Sequence, residues 1–301
     1  MSDSPEKAKT LSTSAKAKAF VDKNKTNIIF YASLSVLILF AYHVLSDGDF
    51  SFLMTLGSVF RAFAFGILVF KIWSQRSAAG VSLKTLYLYA LVFVFRLVSI
   101  LVYDGYLPFD PTGDWFYQAM EVSGLGLVLV AAFLVTKRHP GTYNTKLDVF
   151  GNNLYLPDEL AILWIIVPAF FLALVLHPNL NGNFFTDTSW TWALYLEAVA
   201  VLPQLVMFQK KGGEVEAFTS HFVFSIGAAR LMHFAFWLSS YHELNDRLAS
   251  HPGARYPGVW YFVIISQLVH LALMIDFFYY YVRSLKSGGP MMLPVSARVE
   301  V

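Results

Sequence analysis

Long apolar stretches separated by short polar segments dominate the chain between residues 27 and 283. Each stretch holds about 20 residues, the length that an α-helix needs to cross the hydrocarbon core of a bilayer. The pattern therefore predicts eight transmembrane helices. They lie near residues 27–46, 52–73, 84–103, 115–136, 159–177, 189–209, 218–239 and 259–283.

The first apolar run and the two tails complete the predicted organisation of the chain. The first apolar run is too long for the hydrophobic region of a signal peptide, so it predicts an uncleaved anchor within residues 26–47. Residues 1–25 are rich in Lys, Ser, Thr and Ala and predict a disordered basic tail. The remaining parts are a helical domain at 52–285 and a C-terminal tail at 286–301.

Lysine and arginine residues concentrate at alternate ends of the predicted helices. Arg247 and Arg255 are the basic residues of the opposite loops, and Arg61, Arg96 and Arg230 lie within helices. All other Lys and Arg residues fall on the side that holds both termini. Because short cytosolic loops carry an excess of positive charge, both termini are predicted to be cytosolic.

Composition supports the same class. Hydrophobic residues make up 56% of the chain and charged residues 14%, and the mean hydropathy is +0.54, which indicates an integral membrane protein. The chain has no cysteine, which excludes disulfides and thiolate chemistry. We find no nucleophile with a paired base, no metal-ligand cluster and no phosphate-binding loop, so neither catalysis nor a cofactor is predicted. A net charge of +2 gives no indication of nucleic-acid binding.

Five ionisable residues interrupt five of the apolar stretches: Arg61, Arg96, Glu121, Glu197 and Arg230. At a rise of about 1.5 Å per residue, all five lie roughly 9 to 14 Å below the same membrane surface. Isolated charges are costly in hydrocarbon, so a shared depth predicts a shared polar interior. One interpretation is a structural network of ion pairs, and the other is a binding site for an anion.

The second interpretation draws on residues nearer the non-cytosolic surface. Asp187 and Trp190 begin one predicted helix, and Trp237 ends another. Together with the surplus arginine, they predict a pocket with an anion-binding floor and a cation-binding rim. Aromatic residues at this level are also common at membrane interfaces, so they are weak indicators alone.

The chain also contains a weak internal repeat. Residues 70–82 align with residues 204–216, and the same alignment places Arg96 on Arg230. This predicts two three-helix units joined by the helix at 159–177, an arrangement of the kind seen in transporters built from parallel repeats. Chance similarity between apolar helices is the alternative.

Four motifs carry a resemblance to a known family: KIWSQRSAAGVS at 71–82, ALVFVFR at 90–96, WTWALYLEAVAVLPQ at 190–204 and DFFYYY at 276–281. From about residue 57 to 294, the chain resembles the KDEL receptors, the ER lumen protein-retaining receptors. The resemblance implies an all-α, seven-helix core in a three-one-three arrangement, similar to SWEET and PQ-loop proteins. The N-terminal transmembrane helix is an addition to that core.

The resemblance also implies a ligand and roles for individual residues. The family captures the C-terminal tetrapeptide of escaped ER proteins in the acidic Golgi. By position, Arg96 would bind the terminal carboxylate of the signal, while Asp187 and Trp190 would hold its basic first residue. Glu197 and Arg230 match the pair that closes on bound ligand.

Other positions match or depart from the family pattern. Trp237 lines the same pocket, and Asp276 matches an aspartate needed for recycling. Arg61 stands where the family has its pH-sensing histidine. One hypothesis is that His233, one helical turn from Arg230, has taken over that role, and the alternative is a solvated or hydrogen-bonded histidine at the mouth of the cavity. Further departures from the family residues occur at Met54, Leu97, Ser99, Ala229, Phe236 and Ser240.

The leading prediction is a non-enzymatic receptor that returns ER lumenal proteins from the Golgi membrane to the ER membrane. Its expected partners are the C-terminal tetrapeptide signal, the COPI coat and the lipid bilayer, and no nucleic acid. One alternative is a SWEET-like or PQ-loop-like carrier of a small solute, and another is a relative that has lost signal binding. Three arginines favour an anionic ligand over a neutral sugar.

Overall fold

The structure is a computed structural model that describes residues 18, 21–22, 24–44, 51–103, 114–152, 156–178, 183–239 and 259–294. Its helices are α1 (Lys25–Val44), α2 (Ser51–Gln75), α3 (Leu83–Ile100), α4 (Asp114–Phe133), α5 (Leu163–Val175), α6 (Phe184–Val199), α7 (Leu202–Lys211), α8 (Ala217–Ser239) and α9 (Val259–Ser287). Two short strands are β1 (Gly213–Val215) and β2 (Met291–Leu293). Most of the predicted tail at 1–25 lies outside the described residues, as do Arg247, Arg255 and Ser240.

Within these ranges, six helical segments are long and apolar enough to cross a membrane. They are Phe52–Gln75, Leu83–Ile100, Trp115–Arg138, Phe184–Lys211, Ala217–Ser239 and Trp260–Ser287. The predicted class, an all-α polytopic membrane protein, is confirmed. The apolar stretch Lys25–Phe40 of α1 and helix α5 are shorter than these six segments.

Helix α5 is shorter than the predicted helix at 159–177. A 3₁₀ turn at Asp158–Leu160 precedes it, and the α-helix begins only at Leu163. Its 13 residues span about 20 Å, less than the roughly 30 Å of a hydrocarbon core. An apolar run therefore predicted the position of this helix but overestimated its length.

The predicted helix at 189–209 is divided into α6 and α7 around Ala200 and Val201. Pro203 cannot donate the backbone hydrogen bond that would continue α6. The next amide, of Gln204, donates instead to Thr85 Oγ1 at 3.0 Å. The Gln204 side chain accepts from Ser82 N and donates to Gly80 O, both at 2.8 Å, so the break ties α7 to the start of α3.

In the second repeat, the start of α8 is held by a glutamine from the first repeat. Glu216, which aligns with the α3 N-cap Ser82, accepts from the backbone amides of Phe218 and Thr219 at the start of α8. Gln75 at the end of α2 donates to Glu216 at 3.1 Å. Burial opposes ionisation of Glu216, but these hydrogen bonds outweigh it and hold its pKa below the usual value. The helix starts of the two units are thus braced in a matching way.

Helix α1 packs on the bundle through aromatic and polar contacts with α8 and α9. The ring of Phe30 stacks on His221, with centroids 4.0 Å apart and planes within 2°. His221 Nε2 pairs with Asn27 Oδ1 at 2.9 Å, and Nδ1 pairs with the Tyr281 hydroxyl at 2.8 Å. Tyr31 contacts the same hydroxyl at 3.1 Å, so the additional helix is joined to the core by a continuous polar chain.

The segment after α9, predicted only as a tail, contains a strand. Met291–Leu293 pairs antiparallel with Gly213–Val215, with Val215 opposite Met291 and Gly213 opposite Leu293. The side chains of Met291 and Leu293 are buried, and Met292 is exposed. Three alternating residues are too short a pattern to predict a strand, but here they fasten the end of α9 to the loop between α7 and α8. We call this end of the bundle, which also carries the last residues of α2 and the first of α3, the basic end.

Candidate functional site

Five buried charged residues from five helices meet in the interior of the bundle: Arg61 of α2, Arg96 of α3, Glu121 of α4, Glu197 of α6 and Arg230 of α8. Each is at most 5% exposed. The depth calculated from helical rise predicted that they would lie together, and the ion pairs between them show that they do. We call these five residues the charged cluster.

Glu197 contacts all three arginines of the cluster. Its Oε1 accepts a hydrogen bond from Arg61 Nη1 at 2.9 Å. Its Oε2 accepts from Arg96 Nη2 and lies 2.7 Å from Arg230 Nη2. A single carboxylate thus joins helices α2, α3 and α8 to α6.

Glu121 joins two of the same arginines from the other side. Its Oε1 accepts from Arg61 Nη2, and Arg96 Nη1 lies 3.4 Å away. Arg61 and Arg96 each therefore contact both glutamates, one nitrogen to each. Three guanidinium groups and two carboxylates leave the cluster with one net positive charge.

Helix α9 adds two polar residues that the sequence analysis did not identify. Arg230 Nη1 donates to Gln267 Oε1 at 3.1 Å, and His270 Nδ1 contacts the backbone oxygen of Glu197 at 3.1 Å. Gln267 and His270 are three residues apart in an otherwise apolar run, a spacing that places both on one helix face. That spacing was the available signal in the sequence.

Aromatic residues close the cluster on the side toward the basic end. The guanidinium carbon of Arg61 lies 5.2 Å from the centre of the Phe93 ring, within the range of a cation–π interaction. Phe65, one turn further along α2, packs edge-on against Tyr89 and Phe93 and contacts Phe222. These rings are fully buried, so the charged cluster borders an apolar layer.

The residues predicted as a rim lie farther along the helices. Asp187 is buried in the first turn of α6, ten residues before Glu197, which corresponds to about 15 Å of helix. Trp190 and Trp237 are buried in one apolar cluster that also contains Met54. The structure thus brings the two tryptophans together, apart from the five charges.

His233 lies one turn beyond Arg230 and is 6% exposed. Its ring occupies space beside Gly57 of α2, where a Cβ atom would come within 2.3 Å of His233 Cδ2. Among the described residues, His233 Nε2 has no hydrogen-bond partner. The absence of a side chain at residue 57 therefore makes room for the imidazole next to the cluster.

Asp276 lies outside this site. It is exposed on α9, nine residues beyond Gln267 toward the basic end. At about 1.5 Å per residue it lies roughly 13 Å along the helix from the polar contacts of the cluster. It therefore lies on the side of the cluster opposite to Asp187, Trp190 and Trp237, the residues predicted as the rim.

Comparison with known proteins gives a consistent set of relatives. A family model described as ER lumen protein retaining receptor matches residues 77–240. The chain is 31% identical to ER lumen protein-retaining receptor A of Arabidopsis thaliana over 235 residues, which cover 76% of this chain and 92% of the relative. It is 29% identical to ER lumen protein-retaining receptor 3 of Xenopus laevis over 244 residues, which cover 80% and 96%. ER lumen protein-retaining receptor erd-2.2 of Caenorhabditis elegans is 30% identical over 233 residues, which cover 76% of this chain and 92% of the relative.

Proposed function

The chain belongs to the ER lumen protein-retaining receptor family, and we propose that it binds the C-terminal retrieval tetrapeptide of escaped ER lumenal proteins. The observation that supports this most directly is the buried charged cluster with one net positive charge. A peptide's terminal carboxylate carries one negative charge and would neutralise it. A neutral solute would leave the excess charge uncompensated in a low-dielectric interior.

Arg96 is the residue we propose to bind the terminal carboxylate. A guanidinium binds a carboxylate through two parallel hydrogen bonds and keeps its charge at every physiological pH. Arg230 Nη2 lies 2.7 Å from Glu197 Oε2, and this ion pair would persist beside the bound carboxylate. Arg61 completes the positive surroundings through its contacts with both glutamates.

The rim residues would hold the other end of the tetrapeptide. Four extended residues span about 13 Å, close to the roughly 15 Å of helix between Asp187 and Glu197. Asp187 would pair with a basic first residue, and Trp190 and Trp237 would offer aromatic faces to it. This spacing supports a ligand that reaches from the cluster to the rim.

The proposed receptor is a multi-pass protein of the ER and Golgi membranes that captures its ligand in the Golgi and returns through COPI-coated vesicles. Asp276, remote from the cluster, would serve this recycling rather than ligand binding. An assay of purified protein with free-acid and C-terminally amidated tetrapeptides, at pH 5.5 and 7.4, tests the proposal. Binding of the free acids alone is expected. Saturable uptake of a sugar into proteoliposomes without peptide binding would favour the transporter alternative instead.

Topology gives a separate prediction. The basic end of the bundle carries Lys210, Lys211 and Lys286, and we propose that it faces the cytosol together with both termini. Tags at either terminus should then be digested by protease added to sealed microsomes. Protection of an N-terminal tag would contradict the eight-span arrangement.

Binding is expected to weaken as pH rises. Protonation of His233 would add a charge to a cluster that is already positive, and a bound carboxylate would offset that charge. Protonation and ligand binding would then favour each other, so affinity falls as the imidazole loses its proton. His233→Gln should flatten the profile between pH 5.5 and 7.4, and His270→Gln, which alters the other imidazole next to the cluster, is the matched control. A steep profile that survives His233→Gln, or one that flattens only in His270→Gln, would exclude His233.

A further inference from the structure

We infer that Glu121 is an internal competitor of the ligand: its carboxylate contacts Nη1 of Arg96, one of the donors that the peptide's terminal carboxylate would use. This inference rests on the proposed function. It assigns Glu121 a role in setting affinity, because a ligand that uses this donor must displace Glu121 from Arg96.

The arrangement of the Arg96 nitrogens supports the inference. Nη2 donates to Glu197 and Nη1 lies 3.4 Å from Glu121 Oε1, so the two terminal nitrogens already contact two different carboxylates. A ligand carboxylate that binds the fork with two parallel hydrogen bonds needs a pair of these donors. A ligand carboxylate that takes the edge between Nη1 and Nη2 therefore competes with a glutamate that already contacts one of these nitrogens.

The contact with Glu121 is the one expected to open. Its 3.4 Å separation exceeds the roughly 2.7 to 2.9 Å of a good charge-assisted hydrogen bond. Glu197 is held by three arginines, whereas Glu121 contacts only two members of the cluster, Arg61 and Arg96. The longer Glu121 contact is thus the weaker of the two that Arg96 makes with the glutamates.

Arg61 makes the exchange possible without leaving a buried charge unpaired. When Glu121 leaves Arg96, it keeps its hydrogen bond from Arg61 Nη2. An uncompensated buried carboxylate would be strongly unfavourable, and this second partner removes that cost. Arg61 and Glu121 therefore act as a neutral pair, and the net positive charge remains with Arg96, Arg230 and Glu197.

The exchange offsets its own cost only for a charged ligand. A free-acid peptide replaces one carboxylate by another, so the number of charged contacts of Arg96 is kept. An amidated peptide has only a neutral carbonyl to offer and cannot compensate for the lost Glu121 contact. The cost of displacing Glu121 is the same for every ligand, so a ligand that restores a charged contact to Arg96 recovers that cost and a neutral ligand does not.

The test measures dissociation constants of the full chain for a free-acid tetrapeptide and its amide in two variants. Glu121→Gln removes the competing charge at nearly constant shape, and Glu121→Asp keeps the charge but withdraws it by one methylene. Both should bind the free acid more tightly, by about tenfold for Glu121→Gln, because the donors of Arg96 are released. Neither variant should narrow the ratio between acid and amide affinities, because the cost of displacing Glu121 falls on every ligand that contacts Arg96.

Several outcomes would overturn the inference. Unchanged or weaker free-acid binding in both variants would make Glu121 a structural brace. Tighter binding in Glu121→Gln with parental binding in Glu121→Asp would trace the gain to net charge and not to competition. If Glu121→Gln does not fold, Glu121→Asp decides by the same criterion. Failure of the parent itself to bind any peptide would refute the proposed function, which is a distinct result.

Discussion

Replacing Arg96 by alanine should abolish binding of the free-acid tetrapeptide in a protein that still folds. Loss of one partner from a buried charged pair costs about 2 to 5 kcal/mol, which corresponds to a loss of affinity of roughly 30-fold to several thousand-fold. The fold should survive because Arg61 and Arg230 remain to balance Glu121 and Glu197. The cluster then has two charges of each sign and no excess.

The measurement compares the parent, Arg96→Ala and Arg96→Lys with free-acid and amidated peptides. Arg96→Lys keeps the charge but cannot present the planar pair of donors, so its affinity should lie between the other two. The amidated peptide lacks the carboxylate. Its affinity should therefore differ much less between the parent and Arg96→Ala than the affinity of the free-acid peptide does. Equal discrimination between acid and amide in the parent and Arg96→Ala would show that another residue binds the carboxylate.

The charged cluster illustrates what the sequence could predict about a site. Helical rise converts residue number into depth, and this was enough to place Arg61, Arg96 and Glu121 at one level. Depth does not fix the rotation of a helix about its axis. The pairing of Glu121 with both arginines, and the contacts made by α9, therefore required the packed structure.

The fold, too, could be predicted only in part from the sequence. Apolar length predicted the helices, but it could not locate the break between α6 and α7; Pro203, in the first turn of α7, was the local signal for it. The break depends on Gln204, whose hydrogen-bond partners are more than 100 residues away in the sequence. Likewise, the contacts of Asn27 with His221 join α1 to the core through a pair of residues with no local signal.

Replacing Glu197 by glutamine should destabilise the protein more than any other single change in the cluster. Glu197 is the one cluster carboxylate that contacts all three arginines, and its loss leaves Glu121 as their remaining buried counter-charge in the described structure. The cluster then carries two net positive charges. Breaking a buried pair in this way costs about 3 to 5 kcal/mol.

Thermal unfolding of the protein in detergent would measure the effect. The midpoint of Glu197→Gln should fall by about 10 °C relative to the parent. Arg230 depends most on Glu197, since its other contact in the cluster region is the neutral side chain of Gln267. The double variant Glu197→Gln with Arg230→Gln restores one net positive charge, so it should recover part of the lost stability.

If the single variant unfolds at the parental temperature, or if the double variant is less stable than the single one, charge balance does not hold these helices together. The surplus positive charge would then carry no cost in the unliganded fold, and its role would be to bind the carboxylate of the ligand.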